Sequence, residues 1–189
     1  MAEHACPVWI GYLLASPARK LLQDPHKILM PYIRTGMKVL DIGCAMGFFS
    51  LPMAQLAGTE GQVICVDLQE KMLAVLRRRA RCLGLLSRIR TRTCGPESLG
   101  IDDLGGQIDF AFAFAVVHEV KNPAGFFSEV YAALRPGGRV LFAEPKWHVR
   151  KEAFEKSVSI AEGSGLRPEE SLHIPLSHAL LLSKPGAGI

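Results

Sequence analysis

The chain has 189 residues, 49% of them apolar and 21% charged, which fits a globular domain with a sizeable core and excludes a disordered one. The one apolar run of the opening, Val8 to Ala15, is too short to span a bilayer and lacks the basic lead of a secretion signal. A cytoplasmic location without a membrane partner is therefore expected. The net charge is +4, but its distribution carries more information than its sum.

An N-terminal segment, residues 1–24, contains Trp9 and Tyr12 in an amphipathic helical pattern. It reads either as a lid or as plain core packing. Residues 25–184 then alternate strand and helix patterns in what is expected to be a single domain spanning 1–189. Lys38–Ile42 is a short apolar strand, followed by a helix over Gly47–Leu56 with Pro52 near its tolerant first turn. Gln62–Asp67 is valine-rich and too short for a helix, hence a buried strand. Leu68–Leu83 has helical spacing, with Met72, Leu73, Leu76 and Leu83 expected inward and arginines outward.

Arg88–Thr93 and Ile108–Ala115 read as the third and fourth strands. Asn122 caps a helix running to Leu134, with Pro123 at its first position. An RPGG turn leads into a fifth strand, Arg139–Ala143, and a helix covers Arg150–Ser164. Two short strands near Leu172–Ile174 and His178–Ser183 close the chain. This order predicts a mostly parallel α/β sheet covered on both faces, with the final pair as an edge hairpin. In such sheets ligands sit beyond the carboxyl ends of the strands, where Asp41, Asp67, Cys94–Glu97, His118–Glu119 and Glu144 all fall.

The five cysteines, Cys6, Cys44, Cys65, Cys82 and Cys94, form no CxxC pair, so free thiols are expected and no metal site. From Lys71 to Pro96 there are eight basic residues and no acidic one. Arg77, Arg78, Arg79 and Arg81 are followed by Arg88, Arg90 and Arg92, whose alternation places them on one strand face. Such a stripe suits an anionic partner or, more simply, a solvated helix and a charge-protected edge strand. No aromatic residues interleave it for base stacking, which favours the second reading and makes nucleic acid a disfavoured partner.

The stretch VLDIGCAMGFFS carries the most specific signal. An aspartate ends the first strand, and small residues follow at alternate positions, Gly43, Ala45 and Gly47. A dinucleotide turn needs GxGxxG to seat a pyrophosphate on the helix N-terminus. Here that spacing is absent, and Asp41 would oppose a phosphate at close range. A cationic ligand suits the turn better, and S-adenosylmethionine (SAM) is one, with an ammonium, a sulfonium and no phosphate. The pattern resembles motif I of the class I SAM-dependent methyltransferases. The likeness extends over roughly residues 25 to 184. Asp67 stands 26 residues after Asp41, and QIDFAFAFAVVHEV and AALRPGGRVLFAEP are similar to the later strand motifs of the branch that includes the ubiquinone and menaquinone biosynthesis methyltransferases.

The resemblance implies a Rossmann-like three-layer sandwich with a seven-stranded sheet of order 3214576, the last strand antiparallel. It implies a cofactor site formed by Asp41, Gly43, Cys44, Ala45, Gly47, Asp67, Leu68, Cys94, Gly95, Pro96, Phe114 and Ala115. Asp67 would take the ribose hydroxyls, Leu68 would pack on adenine, and the loop TCGPESLG would border the adenine edge. Ala45 departs from the motif's middle glycine, a change tolerable with ordinary dihedrals. Gly95 stands where many relatives carry an adenine-binding aspartate, leaving the backbone of Cys94 and Gly95, or Glu97, for that end.

Methyl transfer is an in-line displacement that depends mainly on alignment, with a base needed only for a protonated nucleophile. His118, Glu119 and Glu144 are the candidate substrate-side catalytic residues, with Lys146 and His148 nearby in sequence. Each also has a structural reading, such as capping a local turn. The fourth motif lacks the Asp/Asn-Pro-Pro-Tyr/Phe and Pro-Cys signatures of base methylation. A small or medium-sized metabolite is the expected methyl acceptor, S-adenosylhomocysteine the expected product, and a monomer or homodimer the expected assembly. The alternatives are an RNA or protein methyltransferase using the Arg77–Arg92 stripe, a nicotinamide oxidoreductase, or a non-catalytic SAM-binding domain.

Overall fold

The computed structural model describes residues 23–186, so Cys6, Trp9, Tyr12 and the expected lid lie outside the described residues. Seven strands form one sheet: β1 (Lys38–Ile42), β2 (Gln62–Asp67), β3 (Ile89–Thr93), β4 (Ile108–Phe114), β5 (Leu134–Pro145), β6 (Arg167–Ser171) and β7 (Ser177–Ser183). Their order is β3-β2-β1-β4-β5-β7-β6. Strand β7 runs antiparallel to both β5 and β6, while β1–β2, β2–β3 and β4–β5 pair in parallel. The expected α/β sheet, its order and its antiparallel last strand are all present.

The helices are α1 (Pro25–Leu29), α2 (Ser50–Ala57), α3 (Glu70–Cys82), α4 (Pro123–Ala133) and α5 (Lys151–Gly163). The chain divides into two compact units at Cys94/Gly95. In the first, β1 and β2 are buried over nearly their full length, as strands covered on both faces must be. Helix α3 buries Met72, Leu73, Leu76 and Ala80. Leu83, expected inward, lies just past the helix end and is 56% exposed. Cys82, the last residue of α3, is also exposed.

The second unit is built on aromatics. Phe127 meets Phe142 edge-on at 5.5 Å, and Phe142 stacks on Phe154 of α5 at 4.8 Å. Asn122 caps α4 as expected, its side chain accepting from the Gly125 N–H at 3.0 Å. The RPGG segment is not a turn before β5 but an irregularity inside it. Ile108 pairs with Leu134 and Phe110 with Arg139, so four residues bulge opposite Asp109. Arg135 Nε closes that bulge with a 2.6 Å bond to Asp109. The edge hairpin exists, but β6 occupies Arg167–Ser171 rather than Leu172–Ile174. All five β6 residues are exposed, so no apolar pattern marks the strand.

Candidate active site

The turn from β1 into α2 explains its own composition. Gly43, Ala45 and Gly47 have φ of +70°, +46° and +82°, so every second residue is left-handed. Glycine adopts this conformation without steric cost, whereas an alanine is strained there. The dihedrals at Ala45 are therefore not the ordinary ones under which its methyl was expected to be tolerated. Gly47 is further restricted, because a Cβ would lie 2.2 Å from Leu76 Cδ1.

Four of the turn's amides are already spent. Gly43 and Cys44 donate to Val66 O at 2.9 and 3.2 Å, and Gly47 donates to Cys44 O at 3.0 Å. Ala45 N–H donates to Asp67 Oδ2 at 2.8 Å. Asp67 Oδ1 accepts the Gln69 N–H at 2.9 Å, fixing the carboxylate from both sides. Burial raises the Asp67 pKa, opposed by these two bonds. Leu68, beside it, is 44% exposed, an apolar surface placed next to the acid.

Asp41 is buried, with Ser50 Oγ donating to its Oδ2 at 2.5 Å. Desolvation pushes its carboxyl up to about 7, the Ser50 bond working against the rise and the Asp67 charge adding to it. Cys44 is buried, and its thiol is likewise pushed up, first by burial. Cys94 follows β3, and its N–H donates to Asp67 O at 3.0 Å. The structure thus brings Asp41, Gly43, Cys44, Ala45, Gly47, Asp67, Leu68 and Cys94 to the adjoining carboxyl ends of β1, β2 and β3.

Three arginines of the stripe prove to be internal braces. Arg79 reaches from α3 to donate to Met46 O in the turn, a contact with no signal in the sequence. Arg77 bonds Thr91 at 2.9 Å and also Glu70. Arg88 precedes β3 instead of lying on it and donates to Ala54 O at 3.3 Å. Arg90 and Arg92 do share a face of β3, as their alternation predicts.

In the second unit, Gly95 N–H donates to Ser98 O at 3.1 Å in an exposed turn with Pro96. Glu97 pairs with Lys121 at 3.7 Å on the surface. Phe114 ends β4, buried and stacked with Phe112 at 5.9 Å. Ala115 has a φ of +57° and donates to Ala143 O at 2.8 Å. His118, in the short helical turn Val117–Glu119, is bonded twice to one carboxylate. Its backbone N–H donates to Glu144 Oε1 at 3.1 Å, and its Nδ1 lies 2.7 Å from Oε2. Glu144 is 1% exposed, at the end of β5. Glu119 Oε1 stands 3.9 Å from His118 Nε2, and the His148 ring meets the His118 ring edge-on at 4.8 Å. The bond to Glu144 raises the His118 pKa against the lowering effect of burial. Among the described residues, no cluster of histidine, cysteine or acid could hold a metal, and no helix is long and apolar enough to cross a membrane.

The donor set fits a cationic nucleoside. Two acids lie at adjacent strand ends, one of them buried beside a hydroxyl, and the amides of Gly43, Cys44, Ala45 and Gly47 are occupied by protein oxygens. A pyrophosphate would meet carboxylates and no free N–H among these four.

Comparison with known proteins agrees with this chemistry. A family model described as a methyltransferase domain matches residues 33–170. A ubiquinone/menaquinone biosynthesis C-methyltransferase of Marinomonas sp. is 29% identical over 135 residues, 69% of this chain and 53% of that protein. An uncharacterized transposon-encoded protein of Streptomyces fradiae is 32% identical over 147 residues, 77% of this chain and 41% of that protein. The chain thus spans about half the length of the curated relatives it matches. A crystal structure of a SAM-dependent methyltransferase from Aquifex aeolicus superposes with a TM-score of 0.84 at 22% identity, covering 95% of this chain and all of that one.

Proposed function

The chain belongs to the methyltransferase-domain family, and from that premise we propose that it transfers a methyl group from SAM to a small-molecule acceptor. The observation that carries the reading is the set of four occupied turn amides beside two acids. Gly43, Cys44, Ala45 and Gly47 have given their N–H groups to protein acceptors, while the carboxyls of Asp41 and Asp67 stand at the neighbouring strand ends, where a bound cation would favour the ionised form that burial opposes. That arrangement selects for a cation and against a phosphate.

In this reading Asp67 accepts hydrogen bonds from the ribose hydroxyls through the lone pairs its backbone partners leave free. Leu68 and Cys94 border the adenine, and Asp41 draws the cationic amino-acid end. The resemblance assigns Gly95, Pro96, Phe114 and Ala115 to the same cofactor. When bound, SAM supplies a methyl group already activated by a positive sulfur. The protein's part is to hold the reacting groups in line and exclude water.

A small acceptor is favoured over RNA because Arg77, Arg79 and Arg88 are consumed in internal bonds. The name of the Marinomonas relative points the same way. Titration calorimetry with SAM and S-adenosylhomocysteine tests binding, with saturable one-site binding expected. Transfer of labelled methyl from SAM across a metabolite panel then tests turnover. Absence of SAM binding would overturn the proposal.

A further inference from the structure

We infer that the second unit holds a binding site of its own, a cleft between α5 and the β6–β7 hairpin, and that this cleft takes a small amphipathic carboxylate, an anionic head on an apolar body. None of the residues lining it belongs to the proposed cofactor set or to the candidate catalytic residues.

The cleft begins as incomplete packing. A strand covered by a helix buries alternate residues beneath it. Yet all five β6 residues are exposed, and α5, thirteen residues long, buries only Phe154 and Ala161. The space left between helix and hairpin measures about 490 Å³, a size common among small-molecule sites. Phe154 and Val158 of α5, Leu172 after β6 and Leu180 of β7 line it. Val158, Leu172 and Leu180 are only half-buried, so apolar surface remains for a ligand to cover. Phe154 is fixed between two rings, stacked on Phe142 at 4.8 Å and on His178 at 5.4 Å. A wall already held in place spares the ligand the cost of ordering it.

The polar groups give the cleft a head and a tail. Lys146 N–H donates to Leu176 O at 2.9 Å, which ties the turn after β5 to the tip of the hairpin. Lys151, which opens α5, and His178 also line the cleft. From Lys151 to Ser159 the helix advances about 12 Å. Ser159 turns its hydroxyl back to Glu155 O at 3.2 Å, so the far end is served by its apolar side chains.

Charge selects the ligand. Lys151 is paired with Glu155 at 3.6 Å, whereas Lys146 has no acidic partner among the described residues. One ammonium is therefore left uncompensated, which matches one carboxylate. His178 in its neutral form adds a ring N–H donor. A phosphate ester brings roughly two charges to that single ammonium, and a bare phosphate gains nothing from the apolar walls.

The test uses the whole chain and 3-phenylpropionate, with 3-phenylpropionamide as its uncharged counterpart. Titration followed by amide NMR should show saturable shifts centred on Lys151, Val158, Leu172, His178 and Leu180. The acid should bind about fivefold more tightly than the amide, the worth of one exposed ion pair. Lys146→Gln, at an exposed position, should remove that difference. Val158→Phe fills the cleft and should abolish binding of both compounds. If that variant fails to fold, the acid–amide comparison in wild type and Lys146→Gln still decides. Absence of saturable shifts, shifts centred on other residues, equal affinity for acid and amide, or an acid preference unchanged in Lys146→Gln would each overturn the inference. The titration contains no SAM, so its outcome is independent of the methyl-transfer reading.

Discussion

Ala45 and Asp67 hold each other in place: the backbone N–H of a left-handed alanine donates to a carboxylate at the end of the neighbouring strand, at 2.8 Å. The turn after β1 and the acid after β2 are therefore one unit. Residues held in sparsely populated backbone regions persist only where their surroundings over-determine them. Here the bond to Asp67 and the Arg79 contact to the next residue's carbonyl do so.

Ala45→Gly should relieve that strain. A left-handed alanine costs about 1–2 kcal/mol, and glycine returns about 0.4–1 kcal/mol through the entropy of the unfolded chain. The expected net is a gain of about 0.5–1 kcal/mol, read from urea midpoints, with SAM affinity unchanged. A loss of stability would contradict the strain.

Asp67→Ala should weaken SAM binding by about 1–3 kcal/mol, the loss of charge-assisted hydrogen bonds. It should also lower stability, because the Ala45 and Gln69 amides lose their acceptor. Calorimetry and thermal melting read the two effects separately. Unchanged affinity would remove Asp67 from the ribose site.

Asp41 makes stability depend on pH with a definite sign. Its carboxyl titrates at about 7 in the folded protein against an ordinary 3.8, so between those values the native state holds a proton the unfolded chain has released. Its contribution is complete below the lower value and is lost as pH rises through the upper one, each pH unit between the two costing about 1.4 kcal/mol. Asp67 and His118, both raised, act in the same direction, His118 from its ordinary 6.5 upward. Asp41→Asn should therefore flatten the decline between pH 4 and 7 without abolishing it. It should also weaken SAM binding by removing the charge. Melting curves across that range that are parallel for variant and wild type would contradict the assignment.

Gly47→Ala combines two penalties, a left-handed β-carbon and a clash with the buried Leu76 side chain. Together they should cost about 2–4 kcal/mol in equilibrium unfolding. Near-neutral behaviour would mean that Leu76 can swing away freely.

The amino-acid sequence by itself determined the order of the first five strands and the helices between them, because short apolar or alternating runs mark strands whereas apolar residues at helical spacing mark helices. It also marked the strand ends, where Asp41, Asp67 and His118 interrupt apolar runs. An edge strand such as β6 buries nothing and so left no pattern; only its pairing with β7 made it a strand. The partnerships belong to tertiary structure alone. Ser50 with Asp41, Arg79 with Met46, Ala45 with Asp67 and His118 with Glu144 join residues 9 to 33 apart in the chain. Residue type shows that a group can donate, accept or titrate. Which neighbour receives the bond depends on where parallel strands bring their ends together, and no local periodicity encodes that distance.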